Sequence, residues 1–350
     1  VSGRLHLAVE LGAAGRHPGA WRSTGADPDR LLTAEHHVDV VRTAARGGLD
    51  LVALPDSLQP PSDDPAALPG TLDAVAIAAR VAPAVPGIGV VPTATVTHTE
   101  PFHLSKAVAT LDFVATGRAG WQPDVSRTRA EADLFGRTGP EEPATLWREA
   151  GEVIDVVARL WDSWEDDAEI RDAPTGRFVD RDRLHHIDFA GEFFSVKGPS
   201  ITPRPPQGRP LTVLRGDETA ALPVVGRHAD AGRDPGTVPV LLDVETLLGP
   251  DAADRLRELD ALAPAGADLG PATLRHVGDP AGLAALLRDA AEERAADGFV
   301  LAPLALPSGA GEIVDGLLPA LGDVWSPAPC DGSLRERFGL SRPANRYATR

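Results

Sequence analysis

The 350 residues include one cysteine, Cys330, and no methionine. A single thiol excludes an intrachain disulfide and any zinc site built from several cysteines, and it fits a reducing compartment. No apolar run approaches the ~18 residues of a membrane-spanning helix. The N-terminus lacks the charged, apolar and small-residue layout of a secretory signal. Positive charge is short: 34 Lys and Arg stand against 51 Asp and Glu, a formal net charge of −17. A field of that sign repels nucleic acid and anionic membrane, and it disfavours an anionic ligand except in a locally basic pocket. The expectation is a soluble cytoplasmic protein with neither nucleic acid nor membrane as partner. Also lacking are a Walker A run, GxSxG, HExxH, an EF-hand loop, GxGxxG and any repeat of about 20–50 residues.

What is present is a globular composition, 43% hydrophobic and 24% charged, with Gly 35 and Pro 33 predicting many turns. Strand-like and helix-like stretches alternate. LHLAVEL (Leu5–Leu11), LDLVALPD (Leu49–Asp56), GIGVVPTATV (Gly87–Val96) and AGWQPDV read as strands, with amphipathic stretches between them. TLWREAGEVIDVVARLWDSW (Thr145–Trp164) reads as the longest helix, and LTVLRG, VPVLL (Val238–Leu242) and GFVLAPL (Gly298–Leu304) as later strands. About seven strands result, and strand–helix alternation predicts a parallel sheet covered by helices. A polar excursion over 165–210 interrupts the pattern, with a small hairpin read in FAGEFFSVKGP.

HPGAWR, DPDRLL, LPDSL, TEPFHL, GRAGW, LWDSWEDDA, RPPQGRP and SLRERFGLSRPANRY occur in that order. Together they resemble the bacterial-luciferase-like monooxygenases, in the subgroup of nitrilotriacetate and dibenzothiophene-sulfone monooxygenases. The resemblance runs nearly the whole chain. It implies one TIM-barrel-like (β/α) domain over 1–350, with an insertion at 165–210 and a C-terminal tail at 326–350. It also implies a flavin at the C-terminal mouth of the barrel, supplied as reduced FMN by a separate flavin reductase and reacting with O₂. After GRHADA the sequence passes directly to GRDPGTVPVLL, so the comparison implies one βα unit missing after the fifth strand.

The family's flavin positions carry over residue by residue. Asp56 and Thr95 match the family aspartate and Ser/Thr. Pro143 and Trp147 stand where the family has a His and then a phosphate-binding Tyr. Gly216 is kept, but Asp217 and Glu218 follow it where the family has a small residue and a Ser. A strand–turn–helix with two carboxylates at the turn opposes a phosphate by roughly 1–4 kcal/mol per charge pair within about 4 Å. The expectation is that no FMN occupies the usual site, with reduced FMN as the alternative. Asp56, His98 and His103 are then candidate acid–base residues at strand ends, with a helix-capping role for Asp56 and structural imidazoles as the competing readings. Trp121 and Trp147 line a pocket or pack in the core. The run Glu165, Asp166, Asp167 reads as solvated helix-end charge. The function expected is a flavin-independent acid–base enzyme for a hydrophobic small molecule, in specialised-metabolite (natural product) biosynthesis in a bacterium. The alternatives are a two-component reduced-FMN monooxygenase and a non-catalytic ligand-binding or partner subunit; a homodimer is compatible with each.

Overall fold

The computed structural model describes residues 4–23, 25–68, 70–139, 141–215, 219–228, 240–270, 274–293, 296–329 and 331–348. In chain order the elements begin with β1 (His6–Glu10), α1 (Ala34–Arg46), β2 (Leu51–Leu54) and α2 (Ala74–Ala84). Next come β3 (Gly89–Thr95), α3 (Pro101–Val114), β4 (Gly120–Asp124), α4 (Arg129–Leu134) and α5 (Pro143–Asp162). The excursion holds β5 (Glu169–Asp172), β6 (Arg177–Val179), β7 (Phe189–Ala190) and β8 (Ser195–Val196). The chain resumes with β9 (Leu211–Thr212), α6 (Leu222–His228), β10 (Leu241–Leu248), α7 (Ala252–Leu262) and β11 (Leu274–Gly278). It ends with α8 (Pro280–Glu292), β12 (Gly298–Pro303), α9 (Ser308–Gly311), α10 (Leu318–Leu321) and α11 (Leu334–Arg337). This is the α/β class, with the strand–helix alternation of a TIM-barrel-like fold.

Two compact units result. One comprises Val1–Asp56, Pro60–Val91 and Pro239–Asp331; the other comprises Ser57–Gln59, Pro92–Val238 and Gly332–Arg350. In the first, β1 lies between β12 and β2, and β10 pairs with β12 and β11, all in parallel. β11 follows β10 in the chain yet sits on the side of β10 away from β12. Leu7, Val9, Val52 and Leu301 are at most 1% exposed, so each contributes about 1.5–3 kcal/mol of apolar burial. In α1, Val38, Val41 and Ala44 recur at helical spacing on its buried face, and Thr33 caps its start through His36 N.

In the second unit β4 pairs with the C-terminal half of β3 and with β9, again in parallel. α5 carries Leu146, Ala150, Val153, Val157 and Leu160 on one buried face. Its first helical residue is Pro143, which needs no N–H donor there. Beside it run two antiparallel pairs, β5 with β6 and β7 with β8, the latter being the hairpin read in the sequence.

Among the described residues eight strands join one sheet, one more than the seven expected from the sequence. The addition is β11, LRHVG, whose residues are half-buried or exposed and carry no apolar alternation. Segment 229–239, which holds the junction read as lacking a βα unit, lies outside the described residues, as do Gly216, Asp217, Glu218 and Cys330.

Candidate active site

In the second unit the chemistry-bearing side chains collect at the C-terminal ends of β3 and β4. The register sets Thr93 against Gln122 and Thr95 against Asp124, so all four project from one face of the sheet. Gln122 Nε2 donates to Thr93 Oγ1 at 3.2 Å, and Arg127 Nη2 donates to Asp124 Oδ1 at 2.8 Å. Ser126 N donates to Thr97 Oγ1 at 3.1 Å, tying the two strand ends together. Ser126 is 2% exposed, and its Oγ has no hydrogen-bond partner among the described residues. A buried hydroxyl left without a partner costs about 1–3 kcal/mol. The sequence reading passed over Ser126, because a serine two residues beyond a strand carries no signal by itself.

His98 follows directly, with φ +69. A non-glycine residue in that region costs of order 1–3 kcal/mol and persists only where its surroundings hold it. Here the ring stacks on Phe135, centroids 5.1 Å apart at 26°. Burial, reinforced by the Arg137 guanidinium, holds the imidazole pKa below the usual value of 6.5, with Glu131 opposing. At neutral pH the ring is an uncharged base. His103 lies on α3 and is exposed.

Asp56, in the first unit, is half-buried, and its Oδ2 accepts a hydrogen bond from Ala74 N at 2.8 Å at the start of α2. The N-cap of α2 is Asp73, and Asp56 satisfies the first helical N–H from the loop after β2. Thr95 is half-buried, and its carbonyl accepts a hydrogen bond from the Thr99 hydroxyl.

Trp147 is 2% exposed, on α5. It borders a cavity of about 1010 Å³ between α5, α6 and the β7–β8 hairpin. Pro143, one turn earlier, is exposed and has neither an N–H nor a polar side chain to offer. A phosphate needs directed N–H, hydroxyl or cationic donors. Pro143 offers a phosphate no donor, and Trp147, whose one donor is its indole N–H, is 2% exposed, so neither supplies the hydroxyl or cationic group that the phosphate of FMN would take from α5. Trp121 is fully buried, donates from Nε1 to Thr212 Oγ1 at 3.1 Å and packs edge-on against Trp161. It is a core residue.

Of the acidic run after α5, Asp166 and Asp167 are exposed as expected, with side chains 50% and 64% exposed, but each is ion-paired and Glu165 is buried. Glu165 is 9% exposed and pairs with Arg183 at 3.0 Å and with His185 at 2.8 Å. Asp166 accepts from Arg204 and Arg342, and the Arg342 bond above all holds its pKa down to about 2. Asp162, fully buried, takes Arg204 on Oδ1 at 3.0 Å and Arg209 on Oδ2. Motifs LWDSWEDDA, RPPQGRP and SRPANRY are thus one ionic lock, and charge along the sequence alone did not reveal the pairing. His36 and His37 are packing residues on α1, His36 Nε2 lying 2.6 Å from Ala13 O.

The family model for luciferase-like monooxygenases matches residues 13–231. The chain belongs to the luciferase-like monooxygenase family. It is 38% identical over 239 residues to nitrilotriacetate monooxygenase component A of Aminobacter aminovorans, covering 65% of this chain and 53% of that one. It is 30% identical over 311 residues to a pristinamycin IIA synthase subunit of Streptomyces pristinaespiralis, covering 88% and 90%. Among solved structures, EDTA monooxygenase from Chelativorans sp. BNC1 superposes with a TM-score of 0.87 at 23% identity, covering 97% and 99%. That last likeness concerns the fold. No helix among the described residues is long and apolar enough to cross a membrane, and no group of three or more His, Cys, Asp or Glu is placed to hold a metal ion.

Proposed function

We propose that this luciferase-like chain works without FMN in the family's phosphate position, and catalyses acid–base chemistry on a hydrophobic small molecule with His98 as the base. The observation that carries this reading is the replacement of phosphate donors on α5 by Pro143 and the buried Trp147. His98 supplies the chemistry. Its uncharged imidazole takes a proton from a C–H or O–H acid of the bound molecule and returns it to a second atom, an isomerisation that leaves the mass unchanged. Ser126 Oγ hydrogen-bonds a polar atom of the same molecule and sets its orientation. Asp56 has its hydrogen bond from the first N–H of α2 and His103 faces away from the interior, so the proposal rests on His98. A context in natural product biosynthesis draws support from the pristinamycin IIA synthase relative.

A second reading is a two-component monooxygenase that takes reduced FMN from a flavin reductase. Family membership and the family residue Thr95 at the end of β3 favour it. A third, a non-catalytic partner subunit, is suggested by the name of that same relative, which makes it one subunit of its synthase. One experiment separates the three: incubation of purified protein with a library of hydrophobic metabolites under ¹⁸O₂, with and without FMN and a flavin reductase, read by liquid chromatography for isomers of shifted retention time and by mass spectrometry for ¹⁸O. The proposal predicts conversion without flavin and no ¹⁸O in the product. Flavin-dependent ¹⁸O incorporation overturns it in favour of the monooxygenase, and no conversion under either condition favours the partner subunit.

A further inference from the structure

We propose that the cavity between α5 and α6 is a second binding site, for an amphipathic anion: a flat apolar body carrying one carboxylate or sulfonate. Its position sets it apart from the strand-end site. Thr212 lines it, and Trp121 donates to that threonine while packing on Trp161, another lining residue. The cavity therefore opens on the helix-covered face of the sheet. Thr93, Thr95, Gln122 and Asp124 project from the opposite face.

Charge identifies the class of ligand. The chain as a whole carries −17, yet the wall holds four arginines and a histidine against three carboxylates. Those carboxylates are already engaged. Glu152 accepts from Glu192 N at 2.7 Å and Phe193 N at 3.2 Å. Glu192 pairs with Arg148 at 3.0 Å and Asp155 with Arg159 at 2.6 Å. Arg209 and Arg346 lie against Asp162, and Arg346 also against Asp155. Arg227 is left with no carboxylate partner among the described residues, and the neighbouring His228 with no hydrogen-bond partner for either ring nitrogen among them. In an acidic protein an unmatched guanidinium at a cavity rim draws an anion that the rest of the surface repels. Burial keeps the His228 pKa below its usual value, Asp155 opposing and Arg227 assisting. His228 therefore offers a neutral N–H beside the Arg227 charge.

Size and lining identify the rest of the ligand. About 1010 Å³ is at the upper end of volumes that hold small molecules. Trp161 has its Nε1 committed to Ser105 O at 2.9 Å, so it presents ring surface. Trp147, Val224 and Phe193 add apolar wall. Gly151 lies on the floor, where a Cβ would sit in ordinary contact with His228 Nε2 at 3.6 Å and Val224 Cγ2 at 3.7 Å and anything larger would project into the cavity.

The test compares two probes on the full chain by fluorescence titration: the anionic 1-anilinonaphthalene-8-sulfonate and the neutral N-phenyl-1-naphthylamine. Saturable binding of the anion at one equivalent is expected. Arg227→Ala combined with His228→Ala should weaken the anion at least tenfold while changing the neutral probe by less than about threefold. Gly151→Leu should abolish both; because it sits on a buried helix face, Ala144→Phe at the exposed rim provides a second block that leaves the core untouched. Equal affinity for the two probes, insensitivity of the anion to the Arg227/His228 pair, or binding unaffected by Ala144→Phe would each overturn the site. Flavin uptake with anion binding unchanged would overturn the proposed function and leave this site standing.

Discussion

Asp162→Asn tests how the second unit is held together. The carboxylate is fully buried, and Arg204, its partner at 3.0 Å, has a side chain only 3% exposed. Arg209 donates to the other oxygen, with Nε at 3.0 Å, and Arg346 approaches to 3.6 Å. Arg204 also donates to Pro343 O at 2.8 Å, and Asn345 Nδ2 to the Asp162 and Trp164 carbonyls at 2.8 and 2.7 Å. One carboxylate thus neutralises arginines that anchor both the RPPQGRP segment and the C-terminal tail. Removing its charge while keeping its volume leaves Arg204 with Asp166, whose side chain is 50% exposed. Breaking one side of a buried pair costs about 3–5 kcal/mol. For a unit of about 150–250 residues that lowers the melting temperature by roughly 6–20 °C. Calorimetry with urea titration gives the number. Asp39→Asn, which removes an exposed pair with Arg30 (side chains 52% and 47% exposed), is the control and should cost less than about 1 kcal/mol. An Asp162→Asn protein as stable as the Asp39→Asn control would refute the lock.

Three further expectations rest on particular side chains. Pro143→His with Trp147→Tyr places the family's two phosphate-binding side chains on α5 and should tighten FMN roughly 30- to 160-fold by calorimetry, at about 1–1.5 kcal/mol for each of two hydrogen bonds; unchanged affinity would mean α5 does not limit flavin binding. Asp112 is fully buried and accepts from Gln207 N, Gln207 Nε2 and Ala119 N, but desolvation outweighs these donors and pushes its pKa up to about 6. A raised carboxylate destabilises the charged folded state above pH 6, and the penalty of about 3 kcal/mol disappears as pH falls from about 6 towards 3.8; a ¹³C-carboxyl titration with a midpoint below 4 would contradict this. Once a substrate is found, the acid limb of kcat/KM should fall below pH 6.5, because the His98 base is lost only when pH drops through its depressed pKa, and His98→Ala should lower turnover by roughly 10²-fold or more; a wild-type profile in that variant would remove His98 from the mechanism.

Strand–helix alternation placed β1 to β4, α5 and the β7–β8 hairpin from residue pattern alone, because burial on one face writes its period into the sequence. β11 escaped since its face is only half-buried, and β9 is shorter than LTVLRG suggested, its pairing with β4 running over Leu211 and Thr212 and ending on the Val213 N–H to the Trp121 carbonyl. Family motifs named Asp56, Thr95 and Trp147 as flavin positions. They could not show that Asp56 accepts from the first N–H of α2, nor that Glu165 and Asp166 are paired, since both facts depend on residues far away in the chain. The α5–α6 cavity was invisible for the same reason: its walls come from five separate segments.

Flavin binding tests the central claim most directly. The protein is purified without added cofactor, its absorbance recorded through the flavin bands, and oxidised and anaerobically reduced FMN are titrated into it by calorimetry. With Pro143 and Trp147 in place of phosphate donors, a colourless protein and a Kd well above ~1 μM, weaker than about −8 kcal/mol, are predicted for both forms. A yellow protein, or reduced FMN bound at micromolar affinity or tighter, would contradict the account and return the chain to flavin chemistry.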